Sequence, residues 1–267
     1  MPHPLKEFSS ALVIPAIEES LREYWSNYGQ APQSEIYDKQ GFLRVYTGIP
    51  FAFLNGVSSF NLQKAQADQA IEESIRFFQN KKVPWEWVVG PQPSPANLVK
   101  LLTRFGLHAT SSMPGMAVQL GVESQNFSLP QGVEIIPVED IETIKIWTAT
   151  VLDGYEIPEL YDAFSSLESS LGCQPYYRRY LAYLDHEPVA TSALYLGKNV
   201  AGIYAVATIP AARRKGIGAA ITKYAMQEAY TAGYHIAVLQ SSGMGKPVYK
   251  NLGFQDFSTL YEFMQTQ

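Results

Sequence analysis

From residue 133 onward the apolar positions fall into short blocks whose period switches between two and about three and a half. Residues 133–138 read as a strand and 139–152 as a helix, and Pro158 opens a second helix that runs to Leu171 before Gly172. Strand-like runs follow at 180–184, 189–196 and 200–208, set apart by Asp185-His186-Glu187-Pro188 and by Gly197-Lys198-Asn199. Turns this short predict an antiparallel meander. Residues 216–232 place Ile217, Ala220, Ile221, Tyr224, Ala225 and Ala229 on one helical face, with Gly233 where a left-handed terminating residue is expected. The apolar run 235–239 completes a strand–helix–strand crossover, so it is predicted to lie parallel to the strand ending at Thr208. A short helix opens near Pro247 and stops at Gly253, and a last strand spans 257–264.

The earlier part of the chain repeats this order. Residues 51–57 read as a strand, 62–80 as a helix and 85–89 as a strand; Pro95 opens a short helix that stops at Gly106, and 115–120 reads as a strand. Arg104-Phe105-Gly106-Leu107 parallels Asn251-Leu252-Gly253-Phe254, which points to an internal duplication. The polar segment GVESQNFSLPQG, residues 121–132, separates the copies. The expected organisation is therefore two modules, 1–125 and 133–267, in an α+β class with a mixed sheet.

Composition narrows the class. Of 267 residues, 46% are hydrophobic, 13% aromatic and only 17% charged, which suits two domains of ordinary size with large cores and argues against disorder. A net charge of −5 offers no broad basic face for nucleic acid. The single cysteine, Cys173, rules out a disulfide framework within the chain and is read as a buried or half-buried thiol; the four histidines are scattered, and no metal site is expected. No signal peptide and no long apolar run is read, so a soluble, cytoplasmic chain is expected.

One stretch carries chemistry. In VAGIYAVATIPAARRKGIGAAITKYAMQEA a strand ends, a short turn follows and glycines open a helix. Unpaired N–H groups at a helix N-terminus carry the positive end of the dipole, and Gly216 and Gly218 let a phosphate approach them. Arg213, Arg214 and Lys215 add charge suited to a diphosphate. A dinucleotide fingerprint needs a third small residue where Ile221 stands. A triphosphate loop fails at Gly245-Lys246-Pro247, because Gln240 stands five places before Gly245. No nucleophile elbow surrounds Ser241-Ser242.

The stretch resembles the GNAT N-acetyltransferase superfamily, whose signature Arg/Gln-x-x-Gly-x-Gly/Ala is matched by Arg213, Gly216 and Gly218 between the family's fourth strand and third helix. The tail SSGMGKPVYKNLGF resembles the family's fourth-helix region, with Tyr249 ahead of Gly253-Phe254. Residues 85–120 resemble the first half of two-module bacterial members, with Phe60-Asn61-Leu62-Gln63-Lys64, free of glycine, in the place of the cradle. The resemblance implies tandem GNAT-like modules, each an antiparallel meander plus a crossover, with a splayed sheet in the second and a first module degenerate in coenzyme binding. It implies acetyl-CoA as co-substrate. Main-chain groups of Val206, Ala207 and Thr208 would pair with its pantetheine arm, and Arg213, Arg214, Lys215, Gly216, Ile217, Gly218 and Ala219 would hold its phosphates. Tyr249 matches the family position that supplies a proton to the leaving thiolate.

Acetyl transfer by direct attack of an amine is the activity this implies, with an acyl-CoA-binding sensor on the same fold as the alternative. The expected partners are a small-molecule or peptide amine and a second copy of the chain, with neither nucleic acid nor membrane. The sequence departs from the family in one respect: residues 200–208 hold no carboxylate to serve as base. Asp153 and Glu156 are the candidates that remain near the site, and Trp147, Tyr155, Phe164, Tyr176 and Tyr177 are candidates to line the acceptor side.

Overall fold

A computed structural model describes residues 3–39, 41–59, 62–122 and 128–265. The chain opens on a helix that the sequence reading does not include, α1 (Ser10–Tyr28), whose buried Val13, Ile17, Ser20, Tyr24 and Tyr28 recur every three or four residues. A hairpin of β1 (Glu35–Lys39) and β2 (Phe42–Tyr46) follows. The strand predicted over 51–57 is only partly one: Ala52–Leu54 is a 3-10 turn, and β3 is Gly56–Ser59. Asn55 is the reason. Its buried amide donates to the carbonyls of Ile49 (2.6 Å) and Phe51 (3.1 Å) and accepts from the Thr47 N–H (3.0 Å), so a side chain satisfies the loop backbone that a ladder would otherwise engage. Next come α2 (Lys64–Lys81), β4 (Glu86–Val89), α3 (Leu98–Arg104) and β5 (Leu107–Gln119), the last twice the predicted length.

The rest keeps close to the expected order: β6 (Val133–Pro137), α4 (Ile141–Tyr155), α5 (Tyr161–Leu171), β7 (Tyr177–Leu184), β8 (Glu187–Leu196), β9 (Ala201–Thr208), α6 (Ile217–Thr231), β10 (Ile236–Gln240), α7 (Lys246–Asn251) and β11 (Gln255–Gln265). Asp140 starts α4 by a capping box with Thr143, which also holds the Asp140 carboxyl below its usual range. Cys173 corrects the reading of a buried thiol: it is exposed just after α5, where Gly172 ends the helix. Much of the linker 121–132 lies outside the described residues, which omit 123–127.

The chain divides into two units. One joins residues up to Ser20 with Gly115–Phe257, and the other joins Leu21–Pro114 with the residues from Ser258 on. In the first, the strand order is β5–β10–β9–β8–β7–β6, with β7, β8 and β9 an antiparallel meander and β9, α6 and β10 a parallel crossover. Ile217, Ala220, Ile221 and Ala225 of α6 pack with Tyr180, Ala190, Leu194 and Ile203 of the meander in one core. Helix α4 lies against the other face, where the Trp147 indole N–H donates to the Ser192 carbonyl at 3.2 Å. In the second unit the order is β1–β2–β3–β4–β11, with the core of α2 and α3 built on Val57, Trp87, Val89 and Phe263. Among the described residues no helix is long and apolar enough to cross a membrane.

The second unit contains a buried carboxylate that works against stability. Glu86 of β4 is 3% exposed, its Oε1 has no hydrogen-bond partner, and burial with the nearby Glu262 charge pushes its pKa from 4.5 to about 8. The folded pKa is above the unfolded one, so the folded state is favoured undiminished below pH 4.5 and weakens as pH rises toward 8. Each pH unit in that window costs about 1.4 kcal/mol. Glu86→Gln is expected to flatten this slope and to raise the urea midpoint at pH 8 more than at pH 5; equal gains at both pH values would contradict the assignment.

Candidate functional site

β9 and β10 are paired at only two positions, Ala201 with Ala237 and Gly202 with Val238. Beyond Gly202 the two strands part. β9 remains held to β8 on its other side through Thr208, and β10 to β5 through Gln240, so the opening lies between β9 and β10 alone. A bulge drives the parting. Ala193 faces Tyr204 and Thr191 faces Ala207, which leaves Ala205 and Val206 opposite the single residue Ser192. Ala205 adopts a φ of 48°, a left-handed conformation costly for a residue with a side chain, and the Thr191 hydroxyl fixes it by donating to the Ala205 carbonyl at 2.8 Å. Val206, Ala207 and Thr208 are thus the backbone of the splayed edge.

The turn after β9 leads into α6. Arg214 and Gly216 both have positive φ, 63° and 79°, and Gly216 caps the helix. Backbone of this kind forms anion-binding concavities. The Ala220 N–H donates to the Gly216 carbonyl at 3.0 Å, so the amides of Ile217, Gly218 and Ala219 have no acceptor within the helix. Gly218 faces the end of β9: a Cβ there would lie 3.3 Å from the Thr208 hydroxyl oxygen, tight enough to narrow the gap between strand and helix. Arg214 and Lys215 are exposed and form no ion pair among the described residues.

Arg213 behaves differently. Its Nε donates to the Thr208 carbonyl (3.1 Å), its Nη2 donates to the Gly154 carbonyl (2.9 Å), and it pairs with Glu156 at 2.7 Å. The guanidinium therefore ties the end of β9 to the end of α4. Gly154 makes the junction possible, since a Cβ there would fall 2.7 Å from the Ala207 Cβ and 3.2 Å from the Thr208 nitrogen. A sequence signal for this exists only in hindsight, as a glycine in the last turn of α4.

Tyr249 sits on α7 and is 8% exposed, against Gly245 and Phe254. Its hydroxyl makes no hydrogen bond among the described residues, and burial pushes its pKa up to about 12. Tyr155 at the end of α4 is 46% exposed, yet its phenol is raised by burial first and then by the Tyr249 and Tyr177 hydroxyls. The other aromatic candidates are mostly packing. Trp147 is fully buried and stacked on Phe164, and Tyr177 donates to Glu168, a buried carboxylate paired with Arg179 at 2.5 Å. Of the carboxylates proposed as base, Glu156 is engaged by Arg213 and Asp153 is an exposed residue of α4.

The equivalent place in the second unit is built otherwise. β3 and β4 stay paired at Gly56–Glu86, Val57–Trp87 and Ser58–Val88. Of the segment matching the cradle, Phe60 and Asn61 lie outside the described residues, and Leu62 is buried in the core of α2 and α3. Among the described residues no cluster of three or more His, Cys, Asp or Glu stands ready for a metal. Gly154→Ala is expected to destabilise the chain by roughly 1–3 kcal/mol in urea denaturation, because α4 must back away from β9; no loss would mean that the junction is slack.

Comparison with known proteins agrees with this geometry. Residues 175–256 match the family model described as an acetyltransferase (GNAT) domain. No curated protein matches the chain. Among solved structures, a GCN5-related N-acetyltransferase from Kribbella flavida has a TM-score of 0.72 at 21% identity, covering 94% of this chain and 96% of its own. Another GCN5-related N-acetyltransferase, from Sphaerobacter thermophilus, has a TM-score of 0.62 at 12% identity over 94% of this chain and 89% of its own. A tandem GNAT protein from the clavulanic acid biosynthesis pathway has a TM-score of 0.55 at 11% identity over 92% of this chain and 94% of its own. The chain has the fold of these tandem structures, and residues 175–256 within it match the acetyltransferase (GNAT) domain model.

Proposed function

We propose that this chain, a tandem GNAT fold whose residues 175–256 match the acetyltransferase model, transfers an acetyl group from acetyl-CoA to an amine acceptor. The observation that carries the reading is the parting of β9 and β10 directly beside the glycine-capped start of α6. A pantetheine arm needs exposed strand backbone over a few residues, and its diphosphate needs free amides nearby. In this reading Val206, Ala207 and Thr208 offer the first, while the amides of Ile217, Gly218 and Ala219 with the cations of Arg214 and Lys215 offer the second. Arg213 holds the two parts in register.

The amine attacks the thioester carbonyl directly, which a main-chain N–H of the splayed edge polarises. Tyr249 serves the leaving sulfur. A phenol pushed up to about 12 stays protonated throughout the working range, and it is a much weaker acid than a thiol, so its part is to donate a hydrogen bond to the thiolate. The Tyr155 phenol, beside it, borders the acceptor. Localisation in the cytoplasm and a homodimeric assembly are parts of the same proposal that rest on the sequence alone.

Acetyl-CoA at about a hundred times its Kd is expected to stabilise the chain by about 2.7 kcal/mol, read as a rise in Tm, and Gly218→Glu is expected to abolish the rise. Absence of any rise in the native chain would refute the coenzyme site. Tyr249→Phe is expected to lower kcat for thiol release by roughly 10-fold to 100-fold with an unchanged Kd for acetyl-CoA. Unaltered kcat would remove Tyr249 from the reaction while leaving the binding site intact.

A further inference from the structure

Away from the parted strands, one recess of the second unit gathers charge. β1 and β2 pair Tyr37 with Arg44 and Lys39 with Phe42. Paired residues, and residues two apart on a strand, share a side of the sheet, so these four side chains lie on one face of the hairpin. On α2, Gln66, Gln69, Ala70 and Glu73 recur at helical spacing and form one stripe. The hairpin face and the helix stripe together line a recess of about 200 Å³. The buried Phe42 and Leu62, both part of the core under α2, give it an apolar wall. Ala70 adds only a methyl group to the helix side, and β1 is exposed along its whole length, so α2 does not close over the hairpin here.

Three charged side chains, Lys39, Arg44 and Glu73, line this recess. Arg44 lies over the Phe77 ring at 4.2 Å and the Tyr37 ring at 5.5 Å, and Lys39 lies over the Tyr37 ring at 5.4 Å. Neither side chain forms a hydrogen bond or an ion pair among the described residues. Glu35, whose charge also reaches Arg44, is paired with Lys81. Glu73 accepts from the neutral Gln69 amide at 2.8 Å and pairs with no cation among the described residues. Burial pulls the Arg44 guanidinium below its ordinary range, and Glu73 is the first of the charges that oppose this. Opposite charges that line one recess gain by closing on each other. Here they stand apart, and the donors of Arg44 and Lys39 and the carboxylate of Glu73 are left to a third party.

The chemistry of that third party follows from the lining. A simple anion would meet Glu73, and a simple amine would meet Arg44 and Lys39. A molecule that carries both signs on a short frame meets neither conflict. The recess is smaller than the roughly 300–1,000 Å³ of drug-sized sites, so the molecule is small. Tyr37, Phe42 and Leu62 offer it an apolar surface. We propose that this recess binds a free α-amino acid with an apolar or aromatic side chain. Its carboxylate meets Arg44 and Lys39, its ammonium meets Glu73, and its side chain lies on Tyr37, Phe42 and Leu62. The site uses no residue of the coenzyme site and stands whether or not the chain transfers acetyl groups.

Amide NMR of the full chain, titrated separately with L-phenylalanine and L-leucine to about 10 mM, tests this, since that range reaches millimolar Kd values. At least one of the two is expected to shift the amides of Tyr37, Lys39, Phe42 and Arg44 and those of residues 66–73. L-Phenylalaninamide, which lacks the carboxylate, and 3-phenylpropionate, which lacks the ammonium, are each expected to bind at least tenfold more weakly than L-phenylalanine. Glu73→Gln, a change at an exposed position, is expected to weaken the amino acid at least tenfold without weakening 3-phenylpropionate. Arg44→Met is expected to abolish the shifts caused by either. No shift at these amides with both amino acids overturns the proposal. So does 3-phenylpropionate binding as tightly as L-phenylalanine, or a Glu73→Gln variant with native affinity for the amino acid.

Discussion

Parallel strands joined by a crossover helix ordinarily stay paired, because each backbone amide or carbonyl buried without a partner costs about 1–3 kcal/mol. β9 and β10 give up that pairing after Gly202. The cost is held in place by specific contacts: the Thr191 hydroxyl fixes the left-handed Ala205, the Arg213 guanidinium ties Thr208 to Gly154, and Gly218 keeps α6 against the end of β9. The opening is thus a built feature of the sheet edge. The amides at the start of α6 stand beside it.

The repeated order of elements gives a control within one chain. Both halves carry a strand, a helix and a strand in the same order, but β3 and β4 remain paired through Ser58, Leu62 packs into the core, and Gln63 caps α2 where Gly216 caps α6. The paired strands of the first half offer no parted backbone of the kind the proposed site uses. The first half keeps the order of elements without the opening, while the first part of α1 packs onto the sheet that holds β9.

Much of this was legible in the sequence where the physics is local. The meander, the crossover and the glycine-capped helix follow from periodicity and turn residues, and the elements from 133 on fall within a few residues of expectation. What the sequence hid is set by contacts distant along the chain. Asn55 turns half of a predicted strand into a 3-10 turn by satisfying a loop backbone. Arg213 reads as a phosphate ligand, yet its Nε and Nη2 donate to carbonyls of the chain itself. The apolar stripe of α1 was present in the sequence and is a signal that periodicity could have found.

The account turns on one coenzyme site, at the parted strands of the second half. Amide hydrogen exchange of the full chain, with and without acetyl-CoA, tests this most directly. The account predicts new protection at Val206, Ala207 and Thr208 and at Ile217, Gly218 and Ala219, with no change over residues 56–64. Protection over 56–64, or none at the end of β9 and the start of α6, would contradict it.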